Sequence, residues 1–291
     1  MTATALRIGT RGSNLAFAQA RAVQRLLREP AELVPITTAG DAGLGAGDKS
    51  RWVGALEAAL HAGEIDLAVH SAKDVPSELA AGTAIVATPR RADPMDVLVG
   101  ERQLENVREA ACVGTSALRR RAQLMAVRPD LRVVDLRGNV DTRLRKLAAG
   151  EVDAIVLAAA GLDRLDRRRE AGGTLFGHVF VPAPGQGVIA IQARAGSPAA
   201  EVAASVSHGR TMACLEAERA VVRELAASCH TPVGVHADGV TIRGFAGLPD
   251  GSEWLVDEVA QDDGAELELA RRMLAAGAGD LLRAAEAMAA R

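Results

Sequence analysis

Tyrosine is absent from this 291-residue chain, and phenylalanine and tryptophan together bring the aromatic content to only 2%. Stacking of nucleobases on aromatic rings is therefore excluded as a main binding mode, and the core has to be built from Ala, Val, Leu and Ile. Charge of one sign is also lacking. A net charge of −3 provides no basic field for nucleic acid or an anionic membrane, so an anionic ligand would have to be met by local arginines. No apolar run reaches the length of a membrane span, and Met1 to Arg11 has no apolar stretch of signal-peptide length, which leads us to expect a cytoplasmic protein without membrane contact. The three cysteines, Cys112, Cys214 and Cys229, form no disulfide framework and lack metal-ligand spacing, so no metal is expected.

Strand-like and helix-like stretches alternate along the first two thirds of the chain. Leu6 to Ile8 precedes Gly9-Thr10-Arg11 and a helical run from Asn14 to Arg28. Leu33 to Ile36 is short and extended. Trp52 to Ala62 is apolar at helical spacing, and Ile65 to Val69 reads as a buried strand. This order predicts an α/β fold with a largely parallel sheet. The pattern then returns. Ala111-Cys112-Val113 precedes Gly114-Thr115-Ser116 and a helix from Ala117 to Val127, and both helices carry an Ala-Gln pair, Ala18-Gln19 and Ala122-Gln123. Gly150 to Val156 echoes Gly63 to Val69, the first copy opening into a loop at His70 to Val75 and the second at Ala158 to Arg164. Two echoes in the same order predict two similar lobes.

Pro182-Ala183-Pro184-Gly185-Gln186-Gly187 reads as a turn or hinge. A strand from Val188 to Gln192, a helix from Glu201 to Leu225 and a loop from Ala226 to Pro232 follow. A hairpin-like region from Val240 to Val256, with its turn at Pro249-Asp250-Gly251-Ser252, leads to a terminal helix from Ala265 to Ala290. That is the outline of a small α+β third domain. Asp41 to Ser50, rich in Gly and Asp, reads either as a mobile loop over a cleft or as a plain surface connection.

The chemistry concentrates in the loops. His70-Ser71-Ala72-Lys73-Asp74-Val75-Pro76 places a hydroxyl, an ammonium and a carboxylate within four residues, beyond a strand, where α/β proteins keep their ligands. Arg11, Arg119, Arg120, Arg137, Arg143 and Arg164 stand at loop or helix-start positions. An arginine at a helix N-terminus opposes the helix dipole, and a carboxylate bound there would reconcile the two. Each guanidinium can grip one carboxylate through two parallel hydrogen bonds, so the set implies a ligand with several carboxylates, although any one of them alone reads equally as a surface charge. The run Arg167 to Arg169 reads as a solvated helix face. Asp74 is the candidate for acid/base work, against the plainer reading of a carboxylate capping local backbone. Cys229, in a polar loop bounded by Pro and Gly, is a candidate nucleophile or attachment point, whereas Cys112 and Cys214 read as core.

Taken in order, Ile8 to Ser13, His70 to Pro76, Gly114 to Arg120, Leu136 to Arg143, Ala159 to Arg164, Pro184 to Gly187 and Cys229 resemble the hydroxymethylbilane synthase, or porphobilinogen deaminase, family over nearly the whole chain. The resemblance implies two lobes like those of type II periplasmic binding proteins, at 1–89 with 188–206 and at 95–182. It also implies a third, α+β domain at 209–291 and hinges near Pro89 to Pro94 and Pro182 to Gly187. It further implies a dipyrromethane cofactor held by a thioether on Cys229 and catalysis by Asp74. Acetate and propionate groups would be bound by Arg11, Arg119, Arg120, Arg137, Arg143 and Arg164, with further contacts from Ser13, Ser71, Lys73, Thr115, Ser116, Asn139 and Gln186. The implied reaction joins four porphobilinogen molecules stepwise. Asp74 helps ammonia leave and stabilises the resulting azafulvene cation, and water finally releases hydroxymethylbilane. The implied enzyme is a monomer whose product passes to uroporphyrinogen-III synthase. Two departures stand out. Asp48 to Val53 replaces a Gly-Gly-x-Gly-[Leu/Val]-Phe stretch common in the family, and Ala117 stands where serine is frequent. The rival reading from the residues alone is a non-catalytic two-lobed polycarboxylate-binding protein.

Overall fold

The computed structural model describes residues 5–38, 50–228 and 231–289. The chain divides into two compact units, Met1–Ala92 with Gly187–Ala213, and Asp93–Gln186 with Cys214–Arg291. Among the described residues no helix is long and apolar enough to cross a membrane.

The first unit is built on a five-stranded sheet. Strands β1 (Leu6–Thr10), β2 (Ala31–Pro35) and β3 (Leu67–Ser71) run parallel, while β9 (Ile189–Arg194) lies antiparallel between β3 and β4 (Thr83–Ala87). The sheet is thus mixed rather than largely parallel, because its fourth strand returns from much later in the chain. Helix α1 (Asn14–Leu26) starts where the Ser13 hydroxyl accepts the Ala16 N–H at 3.2 Å, and it buries Ala16, Gln19, Ala20 and Val23, one face at helical spacing. Ile8, Leu67, Val69, Ile191 and Ala203 form the core with that face. Helices α2 (Ser50–Ala62) and α6 (Pro198–Ala204) complete the unit.

Strand β3 begins two residues later than the sequence predicts. Asp66 is occupied in clasping β1: its N–H donates to the Arg7 carbonyl at 2.9 Å and its carboxylate accepts from the Arg7 N–H at 2.8 Å and from the Arg7 guanidinium. His70 and Ser71 are therefore strand residues, and a 3₁₀ turn, Ala72–Asp74, follows in place of an irregular loop.

The second unit repeats the device. Its sheet runs β5-β8-β6-β7, from β5 (Asp96–Val99), β6 (Cys112–Gly114), β7 (Arg132–Val134) and β8 (Ala154–Ala158). Strand β6 is parallel to β7 and β8, and β5 is antiparallel to β8. Asp153 clasps β6 as Asp66 clasps β1, donating its N–H to the Cys112 carbonyl at 2.8 Å and accepting the Cys112 N–H at 2.7 Å. The registers match as well: Gly9 stands opposite Ala68, and Gly114 opposite Ile155. Both glycines are demanded by crowding, since a Cβ would lie 2.3 Å from Ile65 at Gly9 and 2.7 Å from Leu136 at Gly114. Helices α3 (Leu118–Val127), α4 (Val140–Ala148) and α5 (Ala159–Arg164) connect the strands. The segment expected as a loop from Ala158 to Arg164 is thus helical, and the strand before it ends at Ala158.

The remainder of this unit is an antiparallel sheet, β10 (Val233–Ala237), β11 (Thr241–Gly247) and β12 (Trp254–Ala260), packed with α7 (Gly209–Glu224), α8 (Ala265–Ala275) and α9 (Ala278–Ala289). The β11–β12 hairpin turns at the expected place, where Asp250 accepts from the Ser252 N–H at 3.0 Å. Two expected helices are each divided. Residues 205–208 separate α6 from α7, and Gly277, at φ 97°, separates α8 from α9. The arginine run is solvent-facing, with Arg168 and Arg169 exposed in a 3₁₀ turn, and it is ion-paired: Arg167 with Asp141 and Glu170, and Arg168 with Asp93 and Asp163.

Candidate functional site

In the first unit the ends of β1 and β3 and the start of α1 enclose a pocket of about 390 Å³, partly open to solvent. Arg11, Ser13, Gln19, His70, Ser71 and Asp74 line it, with Leu15, Ala16, Val53 and Val69 as its apolar side. Four of the predicted site residues thus share one pocket, and Lys73 is half-buried in the 3₁₀ turn beside Asp74.

Two buried amides organise this pocket. Gln19 exchanges hydrogen bonds of 2.8 and 3.1 Å with the Ser71 hydroxyl. Gln192 donates to Glu57 and to Thr83, each at 2.8 Å, which turns its carbonyl oxygen toward His70 Nε2 at 3.0 Å. That arrangement assigns the proton to Nε2. Burial pushes the imidazole down to about 4, with the Gln192 bond and the charges of Glu57 and Asp74 opposing and Arg11 assisting. His70 is therefore neutral near pH 7, and the pocket's cationic side chain is Arg11.

In the second unit the corresponding sheet end is closed by an ion cluster. Arg119 and Arg120 lie in the first turn of α3 and are each 6% exposed. Arg119 donates to Asp96 Oδ2 at 2.7 Å, to Gln123 at 2.8 Å and to the Val181 carbonyl at 2.8 Å. Arg120 reaches Asp96 Oδ1 through Nε at 3.0 Å and Nη2 at 2.7 Å, and the Val156 carbonyl at 3.0 Å. The carboxylate that offsets two cations at a helix start is here Asp96 itself. Burial works against its charge, but the two guanidiniums outweigh burial and hold Asp96 well below the usual carboxylate range. Gln186 joins the cluster, donating to Asp96 at 2.9 Å and to the Pro94 carbonyl at 2.6 Å.

The other predicted residues of this unit surround the loops. Thr115 is buried and accepts the Ala117 N–H at 3.2 Å. Arg143 donates to the Gly138 carbonyl at 2.8 Å and to Ser116 Oγ at 3.0 Å. Asn139 caps α4 by accepting the Thr142 N–H at 2.9 Å. Arg137 is exposed and pairs with Asp135 at 2.8 Å. Burial lowers Arg164 to about 10, which leaves it charged at neutral pH. Cys229 lies outside the described residues, as do residues 41–49. On either side of the cysteine, Thr231 Oγ1 donates to the Ser228 carbonyl at 2.7 Å and Ser228 donates to Glu286 at 2.6 Å.

Sequence reasoning missed Gln19, His70, Asp96 and Gln192 as members of these clusters. The repeated Ala-Gln pair marked Gln19 and Gln123, whereas an aspartate heading the apolar run Asp96 to Val99 names no partner by itself.

Comparison with known proteins bears on the whole chain. The family model described as "Porphobilinogen deaminase, dipyromethane cofactor binding domain" matches residues 6–201, and "Porphobilinogen deaminase, C-terminal domain" matches residues 212–274. A porphobilinogen deaminase of Thermus thermophilus is 42% identical, with 94% of this chain and 97% of that protein covered. One from Syntrophotalea carbinolica is 43% identical over 98% and 97%. One from Thiobacillus denitrificans is 44% identical over 96% and 98%. Among solved structures, a substrate-binding domain of a putative amino acid ABC transporter from Streptococcus pneumoniae covers 70% of this chain and 91% of its own at 12% identity and a TM-score of 0.42, a likeness too loose to argue from. On the matched models and the full-length relatives, the chain belongs to the porphobilinogen deaminase family.

Proposed function

We propose that this protein is a hydroxymethylbilane synthase, a transferase that condenses four porphobilinogen molecules, with loss of ammonia, on a dipyrromethane primer held by Cys229. What carries the reading is the presence of Arg11 and Asp74 in one pocket at the head of β3. The donor set fits a pyrrole bearing acetate and propionate groups, because a guanidinium receives a carboxylate through two hydrogen bonds and a carboxylate receives a pyrrole N–H. When bound, the dipyrromethane supplies the free pyrrole carbon from which the product chain is extended.

Arg11 binds a substrate carboxylate and orients the ring. Asp74 accepts the ring N–H and stabilises positive charge as it develops there, while the substrate's ammonium departs as ammonia with the electron pair of the broken C–N bond. Neutral His70 adds no charge of its own to the pocket that Arg11 lines. Ser13, Ser71 and Lys73 complete this side. Thr115, Ser116, Arg119, Arg120, Arg137, Asn139, Arg143, Arg164 and Gln186 serve the acidic side chains of the primer and of the growing product. Three domains, at 1–89 with 188–206, 95–182 and 209–291, belong to the same proposal. So do a cytoplasmic location, a monomeric state without membrane contact, and hand-over of the product to uroporphyrinogen-III synthase.

The test is the denatured intact mass of the purified protein beside Cys229→Ser, before and after incubation with porphobilinogen. The expected result is an excess of two pyrrole units in the wild type that the variant lacks. A wild-type mass that never rises above that of the polypeptide rejects the proposal.

A further inference from the structure

Glu218 of α7 is completely buried, yet it is neither part of the sequence motifs nor among the residues that line the Arg11–Asp74 pocket. Its two oxygens reach different segments of the second unit. Oε2 accepts the Gly185 N–H at 2.6 Å, and Oε1 accepts the Ala237 N–H at 2.9 Å, with His236 Nδ1 3.4 Å away. A buried carboxylate between two backbone N–H groups fixes both segments, because neither donor has water as an alternative.

The segments it fixes lead to the two halves of the primer site. Helix α7 and strand β10 bracket the loop that carries Cys229. Gly185 sits in the turn that carries Gln186, whose amide holds Asp96, which in turn holds Arg119 and Arg120. The same contact is reinforced by packing. A Cβ at Gly234 of β10 would lie 2.6 Å from the Val181 carbonyl, the atom to which Arg119 and Gln123 donate. Phe245 of β11 shares a buried cluster with Val179, Val181 and Ala122 of α3.

We infer that Glu218 is a positioning residue that ties α7 and β10, the elements flanking Cys229 in the chain, to the Arg119–Arg120 pair through the Gly185–Gln186 turn and Asp96. This rests on the reading of Cys229 as the primer's anchor. It assigns Glu218 no contact with substrate. Its effect falls on how fast the anchor captures pyrrole units and how well the loaded enzyme binds its substrate.

The experiment follows the denatured mass of the full-length protein over time with porphobilinogen, for the wild type, Glu218→Gln and Leu269→Ala, and then measures kcat, KM and Tm. Leu269 is a core residue of α8 outside the network and controls for lost stability. Glu218→Gln presents an amide N–H to a backbone N–H, so it is expected to load about tenfold more slowly and to raise KM more than it lowers kcat. Leu269→Ala loses as much Tm but loads at the wild-type rate. If Glu218→Gln does not accumulate, Glu218→Asp keeps the charge on an arm too short to hold both donors, and the same slowing is expected to a smaller degree. Wild-type loading and KM in the glutamate variants, or an equal loading defect in Leu269→Ala, overturns the inference. A wild type whose mass equals that of the polypeptide both before and after incubation overturns the functional proposal beneath it, a separate and recognisable result.

Discussion

At the heads of β3 and β8 the chain has built the same scaffold and put opposite contents into it. Each head follows an aspartate clasp on the neighbouring strand, Asp66 on Arg7 and Asp153 on Cys112, and each lies beside a helix with a buried glutamine, Gln19 or Gln123. In the first unit the glutamine holds a serine, and the space beyond it stays open as the pocket of Arg11 and Asp74. In the second the glutamine holds an arginine, and Asp96, Arg119 and Arg120 fill the space as one hydrogen-bonded cluster, a single carboxylate shared by two cations. The difference teaches where a carboxylate is spent. Asp74 lines an open pocket, where the proposed function uses it, whereas Asp96 is committed to keeping two buried cations in place.

The sharpest way to break the comparison is to remove the acid from each. Asp74→Ala is expected to leave Tm near the wild-type value while lowering turnover by about 10²–10⁴-fold, the range for a lost general acid–base group. Full turnover in that variant removes Asp74 from the chemistry. Asp96→Ala is expected to do the reverse first. Deleting one member of a buried ion cluster leaves cations uncompensated and costs about 3–5 kcal/mol, read as a shift of the urea midpoint. A stability change within about 0.5 kcal/mol, the usual range for a surface substitution, would mean that the cluster is far more hydrated than its burial implies.

The first of these variants could be named from the sequence, and the second could not. Asp74 is legible because Ser71, Lys73 and Asp74 are neighbours in the chain and follow an apolar run, so composition and order alone bring them to a strand end. The lobe echo is legible for the same reason, since Gly-Glu-aliphatic-Asp is a local string. Asp96 and Arg119 are 23 residues apart, and they meet only because β5 pairs antiparallel with β8, a choice that local periodicity does not encode. Strand β9 is legible as Val188 to Gln192, and the resemblance places it in the first lobe, but its antiparallel direction, which makes the first sheet mixed, is hidden likewise. The helix expected from Ala265 to Ala290 divides at a single glycine, and Ala276 to Gly279 offers no change in polarity to signal the break.

The comparison sharpens along the pH axis, because the two clusters lose stability in different windows. His70 titrates at about 4 when folded and ordinarily at 6.5, so below pH 6.5 the unfolded chain takes up a proton that the folded chain refuses. Stability contributed by the neutral imidazole is whole above pH 6.5, falls as the pH drops and levels off near 4, a loss on the order of 3 kcal/mol. Asp96 has a folded value below its ordinary 3.8, so its contribution is whole above that and is lost only in stronger acid. Between pH 6.5 and 4.5, His70→Asn is therefore expected to flatten the fall of Tm seen in the wild type, and Asp96→Asn to leave its slope unchanged. Parallel slopes in all three proteins would show that the imidazole is not held neutral by its burial beside Gln192.

The smallest expected effect separates architecture from chemistry within single residues. Ser13 and Asn139 each cap a helix, α1 in the first unit and α4 in the second, and each also belongs to the proposed site. Alanine removes a cap worth about 1 kcal/mol at either position. Glycine costs only a few tenths there, because it exposes the backbone N–H groups to water, yet it deletes the side chain as completely. A role confined to capping predicts that Ser13→Gly restores both Tm and turnover relative to Ser13→Ala. A contact with substrate predicts that Tm recovers and turnover does not. The same pair at Asn139 asks the question of the second unit, where Asn139 is exposed beside Gly138 and its side chain already accepts the Thr142 N–H. Recovery of Tm with loss of turnover at Ser13 but not at Asn139 would place substrate contact on the open side of the comparison and leave the second cap to the helix alone.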